Sequence, residues 1–148
     1  MKNFQNLVFL ISIFLVTGLG AKEVNTTFFG NLALDGYDPV AYFTEGKPTL
    51  GKSQWEYKWA DAIWRFSSNN HRKLFMDNPE KYSPQYGGYC AFAMNEGEKY
   101  DISPDSWEIH KGKLYLNYDP ETHKLWTQDK ESMIANADKY WIKIRKKK

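Results

Sequence analysis

Two short stretches of alternating aromatic residues constrain this chain more than anything else in it. In "QWEYKW" the residues Trp55, Tyr57 and Trp59 alternate with Gln54, Glu56 and Lys58, and in "AIWRFS" Trp64 and Phe66 alternate with Ile63 and Arg65. Side chains along a strand point alternately to its two faces, so each stretch predicts a half-buried strand. The Ala60-Asp61 turn between them predicts an antiparallel hairpin with one aromatic face. Each large ring removes about 150–250 Å² from water when buried, so the rest of the chain must fold over that face. With 148 residues, 42% of them hydrophobic and 17% aromatic, there is enough chain for one domain with a real core.

The cover is predicted directly downstream. In "SSNNHRKLFMDNPEKY" Ser67 or Ser68 can cap a helix that Pro79 ends. His71, Leu74 and Phe75 fall at i, i+3 and i+4, which turns the imidazole inward with the two apolar residues. Upstream, Asp35-Gly36 and Asp38-Pro39 are turn signals, the apolar run Val40 to Phe43 reads as a short strand, and "TEGKPTLGKS" reads as a loop. After the Gly87-Gly88 turn, "YCAFAM" predicts a short helix with Cys90 and Met94 on one face. "WEIHKGKLYLNY" predicts a second hairpin around Lys111-Gly112, with Leu114, Leu116 and Tyr118 on one side.

Asp119-Pro120 suits a cap followed by proline at the first helical position, with Leu125 and Trp126 as the apolar face of that helix. In the last helix Met133, Ala137, Tyr140, Trp141 and Ile144 form a stripe, with Ile134 beside it. The order strand, hairpin, helix, short helix, hairpin, two helices predicts an α+β domain of small antiparallel hairpins packed with about four helices.

The two ends differ from the middle. Lys2, the apolar run Leu7 to Val16 and the small residues Gly18, Gly20 and Ala21 follow the order of a secretory signal peptide. The run is shorter than the ~20 residues of a membrane span. The expected organisation is a signal peptide over 1–21, a leader over 22–33, the domain over 34–145 and a basic end over 146–148, with a secreted or periplasmic location and no membrane span in the mature protein. Net charge is only +2, and the excess sits in "KIRKKK", so no nucleic-acid partner is expected. Cys90 is the only cysteine, which excludes an intramolecular disulfide and leaves stability to packing.

The stretches "DPVAYF", "WRFSSNNHRKLFMDNPEKY", "YGGYCAFAM" and "GKLYLNY" together resemble the YHS domain, in particular its exported stand-alone branch. The resemblance spans about Leu34 to Trp141. It implies a small metal-binding module whose thiolate ligands would correspond to Ala41, Ser67 and His71. Alanine cannot ligate and a serine hydroxyl is a poor donor for zinc or Cu(I), so that cysteine site cannot be assembled here. The substitute that the residue types suggest is a soft-metal site, copper above all, around Cys90 and His71 with Met94. The chain is then a non-catalytic binder of a metal ion or other small ligand.

Two alternatives stand beside this one. Cys90 at the start of a helix could be a redox thiol, although no CxxC or resolving cysteine accompanies it. Alternatively, the domain has kept its fold as a structural or interaction module after losing the family's metal site. No catalytic set is evident. His110 and His123 are expected at the surface, and Glu56, Glu80, Asp101, Asp105 and Glu108 have no acid/base spacing. The six tryptophans are expected in the core, with Tyr86 and Tyr89 the first candidates to line a pocket.

Overall fold

A computed structural model describes residues 23–146. The expected signal peptide, Lys22 and the last two residues of the basic end lie outside the described residues. The fold is α+β, with six helices and two two-stranded antiparallel sheets. In chain order the elements are α1 (Pro39–Thr44), β1 (Lys52–Trp59), β2 (Ala62–Phe66), α2 (Asn69–Asp77), α3 (Pro79–Tyr82), α4 (Ala91–Met94), β3 (Trp107–His110), β4 (Lys113–Leu116), α5 (Pro120–Gln128) and α6 (Lys130–Arg145). Single 3₁₀ turns cover Leu34–Gly36 and Gln85–Gly88.

The aromatic hairpin forms as its alternation predicts. Tyr57 pairs with Trp64 and Trp59 with Ala62. Ala60 and Asp61 at the turn both adopt left-handed backbone, φ 53° and 59°, the twist that closes a two-residue hairpin. A register shift between Lys52 and Glu56 bends the start of β1. There Gly51 lies flat on β2, where a Cβ would stand 2.5 Å from that of Arg65.

α2 covers the hairpin. Ser68 is its cap, accepting from His71 N at 3.1 Å. Phe75 inserts among Trp64, Phe66 and Trp59 at ring-centroid distances of 5.0, 5.2 and 5.7 Å.

The run Val40 to Phe43, read from sequence as a strand, is helical in α1. The Asp38 carboxylate accepts from Val40 N and Ala41 N, and Pro39 fills the first helical position. This is the arrangement Asp119 and Pro120 make at α5, so the local signal was present at both places. A four-residue apolar run is too short for periodicity to separate strand from helix.

Behind the hairpin, β4 divides two further clusters. Leu114 and Leu116 pack with Leu34 and Tyr42, while Tyr115 packs with Tyr86, Met94, Trp126 and Ala137. A strand buried on both faces shows no clean alternation, and Tyr118, expected on the Leu114 side, lies beyond the strand and is exposed. In the last two helices Trp126 and Ala137 are fully buried, whereas Leu125 and Tyr140 sit at the outer edges of their stripes and are exposed. The described part of the leader is tied down: Thr26 bridges Ala33, Leu32 bridges Ile63, and Asn25 N donates to Gly87 O at 2.8 Å. Among the described residues no helix is long and apolar enough to cross a membrane.

Phe75 carries α2 onto rings of both strands and is fully buried, so Phe75→Ala should remove about 3–5 kcal/mol of stability, read as a lower urea midpoint with an unchanged transition slope.

Candidate functional site

The three positions that the resemblance assigns to metal-binding cysteines come together, and a carboxylate joins them. Asp38 is fully buried. Its Oδ1 accepts from Val40 N at 2.9 Å and Ala41 N at 3.3 Å. Its Oδ2 accepts from Ser67 N at 2.8 Å, Ser67 Oγ at 2.7 Å and His71 Nδ1 at 2.6 Å. Thus one side chain caps α1, holds the end of β2 and anchors α2. The other ring nitrogen of His71 lies 3.2 Å from Thr44 Oγ1. That hydroxyl is also within reach of Val40 O at 3.1 Å, so it can donate to either the carbonyl or the imidazole. With Nδ1 directed at Asp38, Nε2 is the ring nitrogen left facing Thr44 and, at 3.8 Å, Glu45 Oε1.

Cys90 lies elsewhere. It immediately precedes α4, after the 3₁₀ turn in which Tyr86 and Gly87 take left-handed backbone. It is 1% exposed, and its N–H donates to Tyr100 O at 3.0 Å. Sγ sits 3.8 Å from Asn117 Oδ1. Burial pushes the thiol above its ordinary range, against the opposing pull of backbone N–H groups, so the group is a neutral S–H near pH 7. That runs against an activated thiolate. Met94 is one turn on, with its N–H bonded to Cys90 O at 3.0 Å, and its side chain is buried among Tyr86, Trp126 and Ala137.

His71 and Cys90 therefore share neither a hydrogen-bond partner nor an apolar cluster. Among the described residues no group of three or more His, Cys, Asp and Glu side chains is placed to hold a metal ion. What Cys90 does adjoin is an open pocket of about 430 Å³, with Phe92, Ala93, Tyr100 and Tyr118 on its walls and Glu96 and Glu98 contributing carboxylates.

The organising residue here is Asn117, fully buried and not singled out by sequence. Its Oδ1 accepts from Phe92 N at 3.1 Å, and a backbone N–H can only donate, so the amide's orientation is fixed. Nδ2 therefore donates to His123 Nδ1 at 3.3 Å. His123 must be the neutral tautomer, with its Nε2–H toward Glu108 Oε2 at 3.8 Å. Burial lowers its pKa; Glu108 opposes this and Lys130 adds to it. Cysteine, asparagine and histidine are thus linked, but with asparagine in the middle. The imidazole has no access to the thiol proton, and no nucleophile–base pair exists there. His123 and His110, expected at the surface, are both half-buried; His110 Nε2 lies 2.8 Å from Glu131 Oε1.

Comparison with known protein families, curated proteins and solved structures returns no match.

Two outcomes follow from these networks. Asp38→Ala leaves a buried imidazole and the Ser67 donors without their acceptor and uncaps α1, which should cost about 3–5 kcal/mol in urea unfolding at pH 7. For His123 the folded pKa lies below the reference of 6.5, so as pH falls the unfolded chain takes up the proton first. Stability should fall through the window from about 6.5 downward. His123→Gln, which can still accept from Asn117, should flatten that part of the stability profile measured between pH 7 and 5.

Proposed function

We propose that this chain is a non-catalytic binding module of an exported protein, and that it takes a small organic ligand in the pocket beside Cys90. The observation that carries the reading is the pocket itself: about 430 Å³, within the range of small-molecule sites, walled by aromatic rings and adjoined by a neutral buried thiol. The fixed Asn117 amide holds the thiol and the start of α4 in one geometry, so the site is largely preformed. In this reading the Asp38, Ser67 and His71 clasp takes over the cross-linking that metal–thiolate bonds would perform in the domain the sequence resembles. A copper ion shared by Cys90 and His71 would have to take Nε2 from Thr44 and bring together two residues with different partners, and Met94 would have to leave its apolar cluster.

The test uses a neutral solvatochromic dye, Nile red, as probe. Wild type should enhance its emission saturably, and Ala93→Trp, which fills the pocket, should abolish the enhancement with the far-ultraviolet spectrum and melting temperature preserved. Equal dye binding in that variant would sink the pocket assignment. Cu(I) titrated against a competing chelator is the second arm: tight binding lost in both Cys90→Ser and His71→Ala would replace this reading with the shared metal centre.

A further inference from the structure

Two exposed glutamates line the Cys90 pocket, and a backbone motif holds them there. α4 ends in a turn in which Gly97 takes left-handed backbone, φ 80°. Glu98 N donates to Ala93 O at 3.1 Å and Gly97 N to Met94 O at 2.9 Å, the pair of bonds that closes a helix on a glycine. Glu96 N shares the Ala93 carbonyl at 3.0 Å. A Cβ on residue 97 would stand 2.8 Å from Tyr140 Cδ1, so glycine lets this turn lie against the Tyr140 ring of α6. Glu96 and Glu98 flank that glycine.

The walls beside them are aromatic. Phe92 belongs to α4, Tyr100 is tied in by its carbonyl, which accepts from Cys90 N at 3.0 Å, and Tyr118 follows β4 just after Asn117. Tyr100 and Tyr118 are 53% and 54% exposed, so a ligand in the pocket can cover ring surface that water now meets. Among the described residues no lysine, arginine or histidine lines the pocket. Lys99, next to Glu98 in the chain, pairs with Glu23 and stands 5.7 Å from the centre of the Tyr89 ring. At the α5 end Thr122 lines the pocket, and its N–H is taken by the Asp119 carboxylate at 2.7 Å. That bond holds the Asp119 carboxyl below its usual range, which sets a third negative charge within electrostatic reach of Cys90.

Aromatic walls and carboxylates without a lining cation select one ligand chemistry. An anion meets like charge, and a wholly apolar ligand makes no use of the glutamates. A bare metal ion needs several ligands converging on one point, and no such group occurs among the described residues. An organic ammonium with an apolar body uses the whole lining, through attraction to the carboxylates and to the ring quadrupoles. We propose that the Cys90 pocket takes a small organic ammonium ion, its charge toward Glu96 and Glu98 and its apolar body against the rings and the sulfur. This rests on the reading of that pocket as the ligand site and adds the charge of the ligand.

The experiment titrates the full chain at low ionic strength with three probes that share one branched apolar body, followed by saturation-transfer NMR and calorimetry. Choline is the cation, 3,3-dimethylbutan-1-ol the neutral isostere and 3,3-dimethylbutanoate the anion. Choline should bind saturably and about tenfold tighter than the alcohol, with the anion weakest, and added salt should weaken choline alone. Glu96→Gln combined with Glu98→Gln, both exposed positions, should bring choline down to the affinity of the alcohol and leave the alcohol unchanged. Ala93→Trp should abolish both. Equal affinity for choline and the alcohol, both lost in Ala93→Trp, would overturn the charge assignment and leave the pocket standing, as would a choline preference that survives the double glutamine variant. No saturable binding of any probe, or choline binding retained in Ala93→Trp, would overturn the pocket assignment and this one with it.

Discussion

The buried carboxylate of Asp38 is the constraint on which the first half of the molecule depends. Five hydrogen bonds converge on it, from the first turn of α1, from the end of β2 and from α2. A carboxylate removed from water is costly unless its acceptor sites are filled by well-placed donors. Here the donors come from three elements, so none of the three can shift without leaving charge unpaired. The aromatic core supplies most of the stabilisation by area, but apolar contacts are non-directional. Asp38 decides which way α1 and α2 meet the hairpin.

Asn117 does the equivalent work in the second half with a neutral group. Its backbone N–H donates to Ser106 O and its backbone O accepts from Ser103 N, while the side chain reaches Phe92, Cys90 and His123. It thus joins the end of β4 to the loop before β3, to α4 and to α5. β4, buried on both faces, keeps the two apolar clusters on its sides apart. The chain has one cysteine and cannot be stapled by an internal disulfide, so two buried polar side chains fix geometry that packing alone leaves loose.

Sequence made the parts with strong periodicity legible: the aromatic hairpin, α2 with its serine cap, the Lys111-Gly112 hairpin, α5 with its Asp-Pro start, and α6. It also turned His71 inward correctly. It missed α1, because a six-residue helix offers under two turns of pattern and only its cap announces it. It missed the two polar networks for a different reason. Asp38 meets Ser67 and His71 across 29 and 33 residues, and Asn117 meets Cys90 across 27. Spacing along the chain carries no trace of such pairings. Asp38 read as a turn residue and Asn117 as the tail of a strand, and each was also something else. Nor did ligand chemistry reveal that His71 Nδ1 already meets the Asp38 carboxylate, or that His71 and Cys90 have different hydrogen-bond partners.

The lone thiol gains meaning from its burial. In an oxidising compartment an accessible thiolate without a partner cross-links to other chains or climbs the oxidation ladder. Both reactions require the ionised form and an open approach. At Cys90 burial favours the protonated form, Asn117 Oδ1 accepts its hydrogen, and 1% of the residue is exposed. The backbone N–H groups of α4, which would lower the pKa of a thiol open to solvent, are outweighed by desolvation, and one of them is already committed to Asn117. The same placement that keeps the thiol protonated sets its sulfur at the edge of a pocket. A ligand resting there would meet sulfur as a soft apolar contact, which is a different use of the residue from the thiolate ligand its sequence context suggests.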